Sequence, residues 1–106
     1  KAQKIKIPIE IIDYIDMHYN EKISLEDLSS RCFYNPSYFS KIFKECYGVK
    51  LSDYIIRKRV ENAHRLLVET NMTIEEIYSG CGYTDKALFY KHFKKVKGVT
   101  PGKVRK

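Results

Sequence analysis

One stretch of this 106-residue sequence occurs twice. The first copy is NPSYFSKIFKECYG at residues 35–48, and the second is TDKALFYKHFKKVKG at residues 84–98. Aromatic, lysine and glycine residues follow the same order in both copies, and each copy ends in a glycine that precedes a valine. A shorter related segment precedes each copy, at residues 24–28 and 73–77. Because one unit is present twice, a fold that explains one copy must also explain the other.

The first copy has the spacing of two short helices joined by a tight turn. Ser24 is placed to cap the first of these helices by accepting from the amide of Asp27, whose carboxylate can reach back. Pro36 disfavours a helical Asn35 and suits the opening of the second helix, which Gly48 ends. The residues predicted for the inner faces are Leu25, Leu28, Cys32, Phe39, Ile42 and Phe43. This order is typical of a helix-turn-helix unit.

The second copy repeats this pattern with one additional residue, which falls in the turn. Thr73 and Glu76 form a clearer capping box than their counterparts in the first copy. Gly80 and Gly82 flank the second turn, so we expect it to be tighter or more left-handed than the first turn at 31–33. The residues predicted to point inward are Ile74, Ile77 and Cys81, then Leu88 or Phe89, and Phe93.

Helical periodicity covers the rest of the chain, and no strand alternation is sustained. An amphipathic helix is predicted at about 8–20, where Pro8 suits the first turn. The longest uninterrupted helical pattern lies at 51–70, and a helix of this length spans roughly 30 Å. Its apolar stripe consists of Ile56, Val60, Ala63 and Leu67. A last short turn is predicted from Thr100 through Val104. The predicted fold class is therefore all-α.

Length and composition limit the class of protein. A hydrophobic fraction of 43% and a charged fraction of 31% are typical of a soluble globular chain. The length suits one domain, or two very small domains that share a core. No apolar run approaches the roughly 20 residues of a membrane span, so no membrane partner is expected and a cytoplasmic location is the default. Three cysteines, an odd number, fit a reducing compartment better than a disulfide framework.

The sequence offers no candidate metal, cofactor or catalytic site. Cys32 and Cys81 occupy matching positions in the two copies, which predicts a packing role in the interior. The three histidines, which lack closely spaced partners, are His18, His64 and His92. Glu75 and Glu76 lie in the first turn of a predicted helix, where carboxylates interact favourably with the helix dipole, so they do not indicate acid–base chemistry.

The chain is strongly basic. Lys and Arg number 20 against 13 Asp and Glu, which gives a net charge of +7 and a pI near 9.3. Residues 91–106 contain lysines and an arginine but no carboxylate. Such a surface attracts polyanions such as nucleic acid. Charge alone leaves a solvated basic tail as an open alternative.

A helix-turn-helix unit places its second helix in the major groove of DNA, with the first turns of that helix near the base edges. The residues that packing leaves on this face, and that are predicted to face bases, are Ser37, Ser40, Lys41, Lys86, Ala87, Tyr90 and Lys91. Lysine can donate to guanine, serine can pair with several bases, and alanine can touch the thymine methyl group. The residues predicted to contact phosphate are Asn35, Lys44 and Lys94.

Two copies with a lysine at the same reading position favour DNA over a merely solvated surface. The predicted recognition helices lie near 36–47 and 86–97. The long helix between them is close in length to the roughly 34 Å that separates successive major-groove faces on one side of a duplex. We therefore expect one monomer to engage two adjacent grooves. Because the copies are in tandem, the DNA site need not be a palindrome.

From Pro8 to Lys106 the sequence resembles the DNA-binding domain of AraC/XylS-type transcription regulators. The residues that match the family signature are Arg59, Val60, Ala63, Leu66, Leu67, Ile74, Ile77, Gly82, Tyr83, Asp85, Phe89, Phe93, Lys94, Gly98, Thr100 and Pro101. The resemblance implies about seven helices, with two helix-turn-helix units joined by a linker helix, and sequence-specific double-stranded DNA binding in transcription regulation, most often activation. The implied divisions are a lead-in at 1–7, a first subdomain at 8–50, a linker helix at 51–70 and a second subdomain at 71–106.

The chain departs from the usual pattern of the family at a few positions. Ala87 stands where serine or glutamine is usual, and Val104 replaces a usual tyrosine. Lys41 and Lys91 stand where arginine is common. Because lysine lacks the planar fork with which arginine pairs with guanine, we expect base readout to be weaker or different.

The resemblance also implies partners beyond this chain. Regulators of this type contact RNA polymerase and carry a second domain that senses a ligand, receives a phosphoryl group or dimerises. Residues 1–7 are accordingly interpreted as the lead-in from a missing N-terminal region. The alternative hypothesis is a helical protein-interaction module whose basic faces bind an acidic partner. RNA is disfavoured, because helical reading faces suit a B-form major groove better than an A-form one.

Overall fold

The computed structural model describes residues 7–105, and within that range the chain forms seven α-helices and no strand. The helices are α1 (Ile9–His18), α2 (Leu25–Arg31), α3 (Pro36–Tyr47), α4 (Leu51–Glu69), α5 (Ile74–Gly80), α6 (Lys86–Lys97) and α7 (Pro101–Arg105). The predicted all-α class and the number of helices are confirmed. We call α1 to α3 the first unit and α5 to α7 the second unit; α4 joins them.

Most of the predicted boundaries agree with the structure. The predicted helix at 51–70 is α4, and Thr70 is its C-cap residue. Pro8 has an extended backbone and precedes α1, so the helix begins one residue later than the prediction at 8–20. Of the predicted lead-in, residues 1–6 lie outside the described part, whereas Ile7 is buried in the first unit. Within residues 7–105 no helix combines the length and the hydropathy that a bilayer-spanning segment requires.

The two short helices begin with different caps. At α5 the predicted capping box is confirmed, because Glu76 N donates to Thr73 Oγ1 at 3.0 Å and Thr73 N donates to Glu76 Oε1 at 2.8 Å. At α2, Asp27 N donates to Ser24 Oγ at 2.9 Å. The reciprocal bond predicted for Asp27 is absent, because its carboxylate instead accepts from Arg31 Nε at 3.1 Å, one turn along the helix.

Each unit has its own cluster of buried side chains. The first cluster consists of Ile7, Ile11, Ile12, Ile15, Leu28, Phe39, Ile42 and Phe43. The second consists of Val60, Ala63, Leu67, Ile77, Cys81, Tyr83, Phe89 and Phe93. At the position left open between Leu88 and Phe89, Phe89 is the buried residue and Leu88 is exposed. The inner-face predictions therefore hold, with Leu25, Cys32, Ile56 and Ile74 packed at the margins of the clusters.

The two helix-turn-helix turns share one backbone hand, which corrects the prediction that the second is the more left-handed. Gly82 has φ 101°, and Phe33, at the matching position of the first turn, has φ 61°. A Cβ on Gly82 would lie 2.9 Å from the carbonyl oxygen of Asn20, in the loop after α1. Glycine is therefore required in the second turn by this close neighbour as well as by its backbone conformation.

The last helix closes the second unit against the end of α4. Pro101 is buried, and Val104 packs at the margin of the second cluster although it replaces the larger tyrosine usual in the family. The guanidinium of Arg105 donates to the carbonyl oxygens of Leu67, at 3.3 Å, and Thr70, at 2.9 Å. It also donates to the carbonyl oxygen of Met72. A positive charge thus lies at the C-terminal end of α4, where the helix dipole is negative.

Candidate nucleic-acid interface

The helices α3 and α6 are built alike, and they coincide with the recognition helices predicted at 36–47 and 86–97. Each contains 12 residues. Each ends at a glycine in the left-handed region, Gly48 with φ 77° and Gly98 with φ 81°. Two aromatic side chains one turn apart anchor each helix in its cluster, Phe39 and Phe43 in α3 and Phe89 and Phe93 in α6. The same face of each helix is therefore left outward.

The N-termini of these helices are capped by side chains at equivalent positions. Asn35 Oδ1 accepts from the amide of Tyr38 at 2.8 Å, and Asp85 Oδ1 accepts from the amide of Ala87 at 3.0 Å. Each cap uses one of the amides that the first helical turn leaves without an intrahelical partner. The other amides of that turn retain the capacity to donate to an anion such as phosphate.

Six of the seven predicted base-facing side chains are exposed. These are Ser37, Ser40, Lys41, Lys86, Ala87 and Lys91. The seventh, Tyr90, is half-buried: its ring packs edge-on against Phe89, with the ring centroids 5.8 Å apart. The ammonium group of Lys86 lies 5.6 Å from the centroid of the same ring. The side chain of Tyr90 is thus partly occupied by packing within its own helix, unlike that of its counterpart Ser40.

The predicted phosphate contacts are also at the surface. Lys44 and Lys94 are exposed, and they lie three residues beyond Lys41 and Lys91, respectively. Asn35 is exposed, but its side-chain oxygen is engaged by the amide of Tyr38. Only the NH₂ group of Asn35 is left to donate to a phosphate oxygen.

The lysines on the outward faces of α3 and α6 carry unneutralised charge. Within residues 7–105, Lys41 and Lys91 make no ion pair with a carboxylate, whereas Lys58 lies 3.2 Å from Asp16 and Lys97 lies 2.7 Å from Glu61. Lys58 lies on α4, and Lys97, the last residue of α6, is paired with a carboxylate of α4. Two positive, exposed helix faces are therefore available to a polyanion.

A groove lies beside the outward face of α3. Its volume is about 840 Å³, and it extends to the first turns of α4. The residues that line it are Ile23, Leu25, Ser40, Lys41, Lys44, Glu45, Lys50, Leu51, Ser52 and Ile55. Lysine side chains thus stand beside half-buried aliphatic ones, a combination that the periodicity of α3 alone did not predict.

A tyrosine–histidine pair joins α6 to the turn that precedes it. The hydroxyl of Tyr83 lies 2.7 Å from Nδ1 of His92. Burial lowers the pKa of His92, and the neighbouring Lys91 and Lys95 lower it further. Burial also raises the pKa of Tyr83 to about 12. Both groups are therefore neutral near pH 7, so the pair orients the helix without adding charge to it.

Sequence reasoning did not identify this pair. His92 stands where the first copy has the buried Ile42. The sequence did carry a signal for the pair, since His92 is polar and its counterpart in the first copy is a core isoleucine. A half-buried polar side chain needs a hydrogen-bond partner.

Nothing in the described part of the chain provides a site for metal chemistry. No group of three or more His, Cys, Asp or Glu side chains within residues 7–105 is placed to hold a metal ion. The cysteines are free, and burial raises the pKa of the Cys32 and Cys81 thiols. The ring of His64 stacks on Phe93, with the centroids 6.4 Å apart, and Glu76 is engaged in its capping box.

Comparison with known proteins shows the family. A family model described as a helix-turn-helix domain matches residues 28–106. This chain belongs to the AraC-type helix-turn-helix family. The resemblance seen in the sequence is thereby confirmed.

Relatives and solved structures agree with this assignment. YtdP of Bacillus subtilis strain 168, an uncharacterized HTH-type transcriptional regulator, is 35% identical over 104 residues, which cover 98% of this chain and 14% of YtdP. The C-terminal domain of AraT, a response regulator from Geobacillus stearothermophilus, matches with a TM-score of 0.88 at 28% identity, covering 98% of this chain and 87% of that one. The DNA-binding domain of AdpA, in complex with a target DNA, matches with a TM-score of 0.85 at 25% identity, covering 92% of this chain and 87% of that one.

This AraC-type domain is shorter than the curated relatives that it matches. It spans 14%, 45% and 29% of the lengths of three of them. Those relatives therefore carry segments that have no counterpart in the residues described above.

Proposed function

We propose that this AraC-type domain binds double-stranded DNA in a sequence-specific manner, as the output domain of a transcription regulator. The observation that carries the proposal is the equivalence of two exposed helix faces. Lys41 on α3 and Lys91 on α6 occupy the same position relative to the buried aromatic residues of their helices, and neither is paired with a carboxylate. A surface needed only for solubility has no reason to repeat this register.

In the proposed complex α3 and α6 enter successive major grooves of one duplex. Residues Ser37, Ser40 and Lys41, and then Lys86, Ala87, Tyr90 and Lys91, face base edges. Asn35, Lys44 and Lys94 contact phosphates and set the register of each helix. The side chain of Tyr90 contributes its exposed edge, since its ring is already packed against Phe89.

The experiment that tests this proposal is selection of bound duplexes from a random pool, followed by titration of the selected duplex. We expect enrichment of two separated sequence blocks, one for each helix. Affinity for the selected duplex should fall steeply with salt, by nearly one power of salt concentration for each phosphate neutralised. Equal affinity for selected and scrambled duplexes at every salt concentration contradicts specific readout.

A second candidate function rests on the groove beside α3. Its aliphatic residues, with Lys41, Lys44 and Lys50 around them, have the chemistry to bind an acidic amphipathic segment of a protein. Such a segment would cover Ser40 and Lys41 and would therefore compete with DNA. Leu51→Ser, in the groove but off the proposed DNA face, should weaken peptide binding and leave DNA affinity unchanged if the groove has this second role.

The remaining parts of the proposal concern the longer protein. We propose that a sensor, receiver or dimerisation domain N-terminal to this one supplies the input, and that the protein acts in the cytoplasm, most often as an activator that contacts RNA polymerase. The domain itself is proposed to act by binding, without catalysis. A promoter-reporter assay with the full-length regulator, with and without the Lys41→Ala substitution, tests the transcriptional role.

A further inference from the structure

A polar contact joins the two units at the point where their hydrophobic clusters separate. Tyr54 and Ile55 of α4 pack against the first cluster, whereas Ile56 packs against the second, to which Val60 belongs. Arg59 lies on α4 just after this change of cluster, and it is half-buried. The hydrogen bonds that Arg59 makes therefore influence the orientation of one unit relative to the other.

The guanidinium of Arg59 donates to carbonyl oxygens from both units. Nε donates to Tyr19 O at 2.7 Å, and Nη2 donates to Glu21 O at 3.0 Å, so two of its bonds go to the loop between α1 and α2. Nη1 donates to Gly82 O, at 3.4 Å, in the turn between α5 and α6. Because the donors of arginine form a rigid planar fork, one side chain holds the loop and the turn in a fixed relation.

The loop and the turn also touch each other directly. A Cβ on Gly82 would lie 2.9 Å from Asn20 O and 3.1 Å from the Cζ atom of Arg59, so no side chain fits between them. The side-chain amide of Asn20 donates to Gly80 O at 3.4 Å. Tyr19 is the C-cap residue of α1, so the positive guanidinium also meets the negative end of that helix dipole.

We propose that Arg59 is a positioning residue that fixes the angle between α3 and α6, so that both helices can engage one duplex together. This inference rests on the proposed DNA-binding function. Without the guanidinium, the remaining side-chain contacts of the loop after α1 include the bond from Asn20 to Gly80 O and a hydrogen bond between Tyr19 and Asn62 of α4. These contacts lack the planar fork that fixes loop and turn together. When one of the two helices is bound, the other then approaches its groove from a range of angles. The effective concentration for this second binding event falls, and the affinity for a duplex with both sequence blocks falls with it.

The first test measures the inter-unit distance without DNA. Spin labels are attached to Cys46, exposed on α3, and to Lys95→Cys, exposed on α6, in a Cys32→Ser background, and the distance distribution is measured by pulsed electron resonance. Cys81 is buried and does not label. We expect Arg59→Met to shift or broaden the distribution. Arg57→Met is the matched control, because Arg57 is exposed on the same helix and makes no hydrogen bond or ion pair within residues 7–105.

The outcome of this measurement is decisive in either direction. An Arg59→Met distribution as narrow as that of the control, and at the same distance, overturns the proposal. Circular dichroism melts establish that each variant is folded at the temperature of measurement. If Arg59→Met is unfolded, Arg59→Lys is used instead; it keeps the positive charge but loses the fork, so the same shift is expected and its absence has the same meaning.

The second test uses DNA. On a selected duplex with both sequence blocks, we expect Arg59→Met to weaken binding by about tenfold to hundredfold, and on a duplex with one block by less than about twofold. Equal weakening on both duplexes contradicts a positioning role. If the unmodified domain shows no sequence preference, the proposed function fails, whereas the distance measurement still decides the role of Arg59.

Discussion

The two helix-turn-helix turns have the same backbone hand but different residues and different neighbours. In the first turn Phe33 has φ 61°, and its side chain is 97% exposed. In the second turn Gly82 has φ 101° and lies against Asn20 and Arg59. A left-handed residue other than glycine costs roughly 1–2 kcal/mol, which the first unit tolerates. The comparison teaches that the neighbouring loop, more than the turn itself, requires glycine in the second unit.

The same difference extends to the units that contain these turns. The second turn is held against the first unit, whereas the first turn directs its aromatic side chain into solvent. The capping of α5 is reciprocal, and that of α2 is single. Each unit nevertheless has its own buried cluster, and each has an exposed lysine at the same helix position, Lys41 in the first unit and Lys91 in the second. Matched substitutions in the two units should show how far they are equivalent.

The largest effect is expected from truncating the matching aromatic anchors. Phe43→Ala and Phe93→Ala should each lower the free energy of unfolding by about 3–5 kcal/mol, because each leaves a cavity in a fully buried cluster. Since the clusters are separate, amide hydrogen exchange should show loss of protection mainly in the unit that carries the substitution. Equal loss in α3 and α6 for either variant would show that the two clusters unfold as one.

Substitution of the turn residues should have unequal effects on stability in the two units. Gly82→Ala should cost about 1–3 kcal/mol, because the added Cβ meets a backbone carbonyl and the φ angle is unfavourable. Phe33→Gly should change stability by less than about 1 kcal/mol, since relief of the left-handed strain offsets the entropy of glycine. Urea denaturation measures both; a cost for Phe33→Gly as large as that for Gly82→Ala contradicts the comparison.

The recognition helices are compared by removing their lysines one at a time. Lys41→Ala and Lys91→Ala should each cost about 1–3 kcal/mol at base pairs in one sequence block, and the two blocks should differ. Lys44→Ala and Lys94→Ala should weaken binding to all duplexes alike and reduce the salt dependence. Competition titrations with singly substituted duplexes measure this. Lys97→Ala is the control of equal charge, because Lys97 is paired with Glu61.

A smaller difference is expected between the helix caps. Ser24→Ala removes one cap bond, at α2. Thr73→Ala leaves the amide of Glu76 without its acceptor, and it weakens the reciprocal bond from the amide of residue 73 to the Glu76 carboxylate by loosening the first turn of α5. Each substitution should cost about 0.5–2 kcal/mol, with Thr73→Ala the larger. Thermal denaturation with circular dichroism ranks the two variants, and the reverse order contradicts the greater importance of the box.

The smallest effect concerns pH and is confined to the second unit. The pKa of His92 is lowered in the folded state from its usual value of 6.5, so below that pH the unfolded chain binds more protons than the folded one. The contribution of His92 to stability is thus present above about pH 6.5 and lost as pH falls toward the folded-state pKa. Urea titrations at several pH values should show this loss, and His92→Gln should reduce it. If the free energy of unfolding falls as steeply with pH in His92→Gln as in the unmodified chain, other groups cause the loss.

Much of the fold was accessible from the sequence because the chain repeats itself. The bounds of α3 and α6 follow from local signals, Asn35 and Pro36 at one end and the terminal glycines at the other, which act within a few residues. The two clusters follow from helical periodicity. The exposed faces of α3 and α6 follow by subtraction, since packing engages most of the other residues; Tyr90, half-buried against Phe89, is the exception.

Features that depend on which partner a group meets, near or far along the chain, were not accessible in the same way. The Asp27 carboxylate has two donors within reach, the backbone amide of Ser24 and the guanidinium of Arg31. The capping pattern alone does not show which of them it accepts from. The left-handed conformation of Phe33 contradicts its local preference and is imposed by the geometry between two packed helices. The contact of Arg59 with Tyr19 O joins residues 40 apart in the chain, and backbone acceptors leave no trace in side-chain identity. Helical periodicity shows which face of a helix is buried, but not which residues of other segments contact that face.

The position of Arg105 has a consequence for shortened forms of this domain. Its guanidinium donates to the carbonyl oxygens of Leu67, Thr70 and Met72, at and just beyond the end of α4. A form that stops at Val104 loses these bonds, and with them the link between α7 and the end of α4. We expect such a form to lose stability mainly in the second unit.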